Sequence, residues 1–134
     1  MAEKQQIDSF LASPLIGVVG ASNNRDKFGN KVLRCYQQHG YPVVPVHPAQ
    51  AEIEGLAAVT SVAELPAEVL SISVITPPQI TEQVVRQAAA KGIKNIWMQP
   101  GAQSDEAIRY CEEQGINLIA DGTCVLVVLG FSGH

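Results

Sequence analysis

The segment VVGASNNRDKFGNKV, residues 18–32, decides how this chain folds. Its small apolar residues have the character of a buried strand, and the Gly-Ala-Ser that follows leaves a loop backbone with little side-chain cover. The next residues favour a helix that begins near 27–29. A strand, a bare loop and a helix N-terminus in this order form the first half of a βαβ unit. The backbone N–H groups of such a loop can bind phosphate.

Positive charge gathers in the same segment, although the chain as a whole is acidic. The formal net charge is −4, but four of the nine basic side chains lie within ten positions: Arg25, Lys27, Lys31 and Arg34. Because Arg25 and Lys27 precede the helix, we predict that they join the loop in an anion site. We expect Lys31 and Arg34 to lie on the solvated face of the helix.

Composition and charge narrow the class of protein. The 134 residues are 46% hydrophobic and 16% charged, which predicts one globular domain over residues 1–134. The net negative charge disfavours nucleic-acid and anionic-membrane partners, and no apolar run approaches the roughly 20 residues of a membrane span. The cysteines Cys35, Cys111 and Cys124 are scattered and form no zinc-binding pattern. With no apolar segment at the N-terminus, we expect a cytoplasmic protein without a metal site.

A helix-like stretch that ends in glycine and is followed by a short apolar run occurs three times, at 37–46, 89–98 and 112–120. The glycines, Gly40, Gly92 and Gly115, stand where a left-handed helix cap is expected. The segments between the apolar runs have helical periodicity, which places Ile80, Val84, Val85 and Ala88 on one face.

Two further apolar runs, 15–20 and 70–76, complete the predicted sheet. Strands alternating with helices predict an α/β fold with a Rossmann-like, doubly wound parallel sheet of about five strands. We expect strand order 3-2-1-4-5 in three α/β/α layers, with Pro45 at the end of strand two. We expect residues 51–66 to form a loop with a short edge strand or helix. The apolar tail after Cys124 is either a sixth strand or an oligomer contact.

Ligands of a doubly wound sheet bind beyond the carboxyl ends of the strands, so the residues that follow each strand are candidate site residues. They are Gly20, Ala21, Ser22 and Asn23 after the first strand, Val46, His47 and Pro48 after the second, Thr76, Pro77 and Pro78 after the run 70–76, and Gln99, Pro100 and Gly101 after the next. Phe28, at the start of the first helix, completes the set.

The glycine pattern does not match the NAD fingerprint. The third glycine of GxGxxG falls on Ser22, and no carboxylate follows strand two until Glu52, so the ribose contact of NAD is missing. The basic residues suit a ligand with an additional phosphate, either NADP or coenzyme A (CoA) with its 3′-phosphate.

The order of GAS, HGYPVVPVHP, TPP and QPGA, from about Phe10 to Cys124, resembles the CoA-binding domain family. These are small stand-alone relatives of the CoA-binding domain of succinyl-CoA synthetase α subunits. The resemblance implies a Rossmann-like fold that binds CoA or an acyl-CoA at the strand ends. The chain departs from the family in having Asp121-Gly122-Thr123 before Cys124, where a basic residue is usual, and in its apolar tail.

The resemblance also implies roles for the candidate residues. Phosphates would contact Gly20, Ala21, Ser22, Arg25 and Lys27. The adenine and ribose would contact Val46, His47 and Pro48. The pantetheine arm would contact Thr76, Pro77 and Pro78, and its thiol end would lie near Gln99, Pro100 and Gly101.

No catalytic constellation accompanies these residues. The chain has no GxSxG nucleophile motif, and His47 has no evident carboxylate partner in the sequence. We therefore expect a binding protein that acts as carrier, sensor or regulatory subunit and not as an enzyme. Two alternatives remain. One is an NADP-type oxidoreductase domain. The other is an interaction subunit with a vestigial pocket, whose tail contacts a second copy or another protein.

Overall fold

The computed structural model describes residues 3–133, so Met1, Ala2 and His134 lie outside the description. The helices within this range are α1 (Lys4–Leu11), α2 (Phe28–Gln38), α3 (Pro78–Lys91) and α4 (Asp105–Glu113). The strands are β1 (Leu15–Val19), β2 (Val43–Val46), β3 (Glu52–Ile53), β4 (Leu56–Ala57), β5 (Val69–Val74), β6 (Asn95–Met98) and β7 (Asn117–Ile119). A 3₁₀ turn, Val62–Glu64, and a π-helical turn, Leu126–Gly130, complete the elements.

Five of the strands form a parallel sheet in the order β2-β1-β5-β6-β7. At its carboxyl edge Val19 of β1 lies between Val46 of β2 and Val74 of β5. The chain runs from β1 outward to β2 on one side and then crosses back past β1 to β5, β6 and β7 on the other side. The boundary between β1 and β5 is therefore the switch point of a doubly wound sheet. The predicted α/β, Rossmann-like parallel fold is confirmed.

The strand order differs from the predicted 3-2-1-4-5 at the two outer edges of the sheet. The strand expected beyond β2 is reduced to one parallel bridge between Val46 and Val59, and β7 extends the opposite edge. Pro45 lies inside β2 and not at its end. Its carbonyl oxygen accepts the Val59 N–H at 3.0 Å, so the missing proline N–H faces the outer edge, where no ladder hydrogen bond is lost.

Helices cover both faces of the sheet, as the three-layer prediction requires. On one face α1 and α2 bury Phe10, Val32 and Tyr36 against the sheet. On the other face α3 and α4 bury Val85 and Cys111. The sheet is therefore buried on both sides, which explains its nearly continuous apolar strands.

The glycine caps of the helices and the position of Ile80 can be compared with the predictions. The glycine caps are confirmed, because Gly40, Gly92 and Gly115 have φ values of 78°, 86° and 70°. Ile80, predicted on the same helix face as Val84, Val85 and Ala88, is 43% exposed. Because α3 begins at Pro78, Ile80 lies in the first turn, at the rim where the strands end.

The tail after Cys124 is not a sixth strand. It forms the π-helical turn, which packs on α2. The Cys35 thiol lies 3.9 Å from the carbonyl oxygens of Val125 and Gly130, and His39 Nε2 lies 2.6 Å from the Gly130 oxygen. Val127 remains 78% exposed, so the turn also presents an apolar side chain outward.

The first turn of α2 lies directly against the loop after β1. A Cβ atom added to Gly29 would lie 2.0 Å from the Gly20 carbonyl oxygen, and one added to Gly20 would lie 2.1 Å from the Ile75 carbonyl oxygen. Gly20 also has a φ of 100°. Both positions therefore require glycine, and together they bring the helix N-terminus next to the β1 loop.

Substitution of Gly29 by alanine is expected to lower the free energy of unfolding by about 2–4 kcal/mol, because backbone must move to admit the methyl group. Urea denaturation followed by circular dichroism measures this. Gly133→Ala is the matched control, since an added Cβ there meets nothing within 4 Å. Equal stability of the two variants would contradict the close approach.

Candidate functional site

A cleft of about 390 Å³ opens at the carboxyl ends of β1, β2 and β5, and we call it the loop cleft. It contains most of the predicted site residues: Gly20, Ala21, Ser22, Lys27, Phe28, His47, Pro48, Thr76 and Pro77. Gly29 and Ile75 complete its lining. Since α2 begins at Phe28, the unpaired N–H groups of its first turn lie beside this cleft, where they favour an anion.

A second cleft, of about 300 Å³, adjoins the first and is called the apolar cleft. Its walls are mostly aliphatic, from Val19, Val46, Val62, Ile80 and Val84, and its polar residues include Thr60, Ser61, Gln83 and Gln87. Gly20, Pro48 and Thr76 line both clefts, which makes the two spaces neighbours at the switch point. Sequence reasoning did not name Ile80 as a site residue.

Several predicted site residues line neither cleft. Gln99 is fully buried, and its amide is used within the core, where Nε2 donates to Ser73 Oγ at 2.9 Å and Oε1 accepts the Val125 N–H at 3.0 Å. Pro100 and Gly101 lie in the exposed turn after β6, and Pro78 is the first residue of α3.

Asn23 and Arg25 also lie outside both clefts and instead contact the hairpin formed by β3 and β4. Asn23 Nδ2 donates to the Glu52 carbonyl oxygen at 2.9 Å. The Arg25 Nε atom lies 3.3 Å from a carboxylate oxygen of Glu54, so this ion pair offsets part of the Arg25 charge. Lys27, in contrast, lines the loop cleft.

A buried polar network beneath the loop was not predicted. Asn30 is fully buried, and its Nδ2 donates to the Ser22 carbonyl oxygen at 2.7 Å and to a Glu54 carboxylate oxygen at 2.9 Å. Its Oδ1 accepts from Arg34 Nε at 2.6 Å. Arg34 is only 6% exposed, so the prediction that it lies on a solvated helix face is wrong. The sequence signal was an amide and a guanidinium four residues apart, which places both on one face of α2.

His47 is held in one tautomer. Its Nδ1 accepts the backbone N–H groups of Ala49 and Gln50, each at 2.9 Å, so the ring proton of the neutral imidazole is on Nε2. The residue is half-buried in the lining of the loop cleft. It is therefore equipped to donate a hydrogen bond to a ligand oxygen, and Nδ1 is not available as a base.

The described residues offer no metal site, and two of the three thiols are buried. No group of three or more histidine, cysteine, aspartate or glutamate side chains between residues 3 and 133 could hold a metal ion. Burial raises the pKa of Cys35 and of Cys111 to about 11, so both thiols stay neutral near pH 8. In that same range no helix has the length and apolar character needed to cross a membrane.

Comparisons with known proteins agree with this geometry. A family model described as "CoA binding domain" matches residues 15–130. The chain is 32% identical over 91 residues to the α subunit of the ADP-forming acetate–CoA ligase II of Pyrococcus furiosus, a match that covers 67% of the chain and 20% of that subunit. It is 29% identical to the uncharacterized protein YneT of Bacillus subtilis, with 92% of each chain covered.

Solved structures show the same fold. A conserved hypothetical protein from Pyrococcus furiosus superimposes with a TM-score of 0.81 at 42% sequence identity. The match covers 84% of this chain and 97% of that one. The chain thus corresponds to nearly the full length of its small relatives but to about one fifth of the ligase subunit.

The reactivity of the three thiols tests the burial that the structure shows. At pH 8 we expect one cysteine, the half-buried Cys124, to react promptly with Ellman's reagent, because the raised pKa and the burial of Cys35 and Cys111 keep those thiols protonated and covered. Unfolding in guanidinium should release all three. Cys124→Ser should remove the prompt phase, and prompt reaction of Cys35 or Cys111 would contradict their burial.

Proposed function

The chain belongs to the CoA binding domain family, and on that premise we propose that it binds CoA or an acyl-CoA non-covalently. The ligand would occupy the loop cleft and the apolar cleft beside it. The observation that carries the proposal is that an anion-binding loop and an aliphatic cleft share Gly20, Pro48 and Thr76. CoA has the matching halves, a set of phosphates and a long arm that ends in an acyl group.

The loop supports the phosphate half of this proposal. Gly20 and Gly29 both line the loop cleft, and neither has a side chain to cover the backbone of the loop and of the first turn of α2. Ligand phosphates would accept hydrogen bonds from these N–H groups and from Ser22, and Lys27 would add a positive charge. A side chain at either position would meet a backbone carbonyl oxygen, so the close approach of loop and helix requires glycine at both.

The remaining lining residues would hold the rest of the ligand. His47 would donate from Nε2 to the ribose or its phosphate, with Pro48 against the adenine. Thr76 and Pro77 would flank the pantetheine arm. Gln99 is committed to the core, so the thiol end of the ligand would be recognised by other groups.

We propose a binding role, as carrier, sensor or regulatory subunit, and no ligase activity. The chain spans 20% of the Pyrococcus furiosus ligase subunit, so the chemistry of that larger protein is not attributed to it. Residues 1–134 would form one ligand-binding domain. A reducing cytoplasm suits its cysteines, which are free in the structure.

Calorimetric titration of ligand-stripped protein with CoA, dephospho-CoA, NADP and NAD tests the proposal. We expect CoA to bind with a Kd on the order of micromolar, and the nicotinamide cofactors not to bind. Binding of NADP without CoA would favour the oxidoreductase alternative. No binding of any of the four would favour an interaction subunit, and either result would overturn the proposal.

Lys27→Ala is expected to weaken CoA binding about tenfold, because a charge-assisted contact to phosphate is lost. Lys94→Ala is the control, since Lys94 is exposed next to the amino end of β6, far from the carboxyl ends of the strands where the clefts lie. Arg25→Ala should cost less, because Glu54 already pairs with Arg25. A larger loss for CoA than for dephospho-CoA would assign Lys27 to the 3′-phosphate, and equal losses would assign it to the diphosphate. Unchanged affinity would remove Lys27 from the site.

A further inference from the structure

Residues 130–133, which we call the C-terminal segment, pack on Arg34, a side chain that contacts the loop after β1. The Arg34 Cζ atom lies 5.2 Å from the centre of the Phe131 ring, in a cation–π arrangement. Arg34 is 6% exposed, so this ring is part of the surface that keeps the guanidinium from water. Phe131 thus belongs to the environment of a buried charge and not only to an apolar tail.

From Arg34 the contacts lead directly to the loop. Its Nε donates to Asn30 Oδ1 at 2.6 Å, and its Nη2 donates to the Arg25 carbonyl oxygen at 3.3 Å. Asn30 in turn donates to the Ser22 carbonyl oxygen at 2.7 Å. The guanidinium and the amide therefore hold the loop backbone at two points, Ser22 and Arg25, on either side of its exposed tip.

The segment that carries Phe131 is tied to the other end of α2. Gln38 Nε2 donates to the Ser132 carbonyl oxygen at 2.8 Å, and Gln38 Oε1 accepts the Ser132 N–H at 3.0 Å. His39 Nε2 contacts the Gly130 oxygen at 2.6 Å. Exposed hydrogen bonds of this kind open at low cost, so the segment is held in a way that a partner could release.

We propose that Asn30 and Arg34 are positioning residues for the phosphate-binding loop, and that Phe131 couples the C-terminal segment to that loop. A loop that is already ordered binds its ligand at a smaller entropic cost. Displacement of the segment would therefore loosen the loop and lower ligand affinity without touching the ligand. The effect on affinity rests on the proposed function, whereas the effect on loop order does not.

Phe131→Leu tests the coupling, because it keeps an apolar side chain and removes the ring. We expect CoA affinity to fall about fivefold, within the range of cation–π energies. Backbone NMR order parameters of residues 22–25 should fall from about 0.85 towards 0.6, while those of β5 and β6 stay unchanged. Phe131→Tyr should restore both values, because the ring returns. Val127→Ser, a change at an exposed tail side chain, is the matched control and should change neither.

Arg34→Lys provides a second variant. Lysine keeps the charge but has no planar fork to reach both Asn30 and the Arg25 carbonyl group, so loop order should fall as in Phe131→Leu. A uniform loss of order over the whole chain, or no change at residues 22–25 in either variant, would overturn the coupling. If wild-type protein does not bind CoA, the proposed function fails, and the order parameters still decide whether the segment and the loop are coupled.

Discussion

The contact between Gly29 and the Gly20 carbonyl group is the constraint on which the site depends. An added Cβ at Gly29 would lie 2.0 Å from that oxygen, so α2 can begin where it does only because Gly29 lacks a side chain. The close approach places the N-terminus of α2 beside the carboxyl end of β1. Without it, the loop and the helix would offer two separate surfaces and no common cradle for an anion.

The three basic side chains around the loop make different contacts. Lys27 lines the cleft, Arg25 pairs with Glu54, and Arg34 is buried in the network with Asn30. In the proposed function the basic cluster therefore both attracts the anionic ligand and holds the loop in place. No buried side-chain nitrogen or oxygen in residues 3–133 lacks a hydrogen-bond partner, which shows that the support is complete.

Local patterns predicted the fold and the phosphate loop, whereas long-range contacts decided the rest. Helix-glycine-strand repeats and apolar runs indicate parallel βαβ units by themselves, and Gly-Ala-Ser marks the loop. Arg34 looked solvated because its burial comes from residues almost 100 positions away, such as Phe131. Gln99 looked available because its hydrogen-bond partners, Ser73 and Val125, lie in other elements. Pro45 was misplaced because only the sheet shows which edge it faces.

The most direct test of the central claim is a ¹⁵N–¹H NMR spectrum of the protein titrated with CoA. The account predicts that the amide shifts change for the cleft-lining residues that carry a backbone N–H: Gly20, Ala21, Ser22, Lys27, Phe28, Gly29, His47, Ile75 and Thr76. The amide shifts of Gly92 and Gly115, in a hollow at the amino ends of β6 and β7, should not change. Shifts confined to that hollow, or none at saturating CoA, would contradict the claim that the switch point binds this ligand.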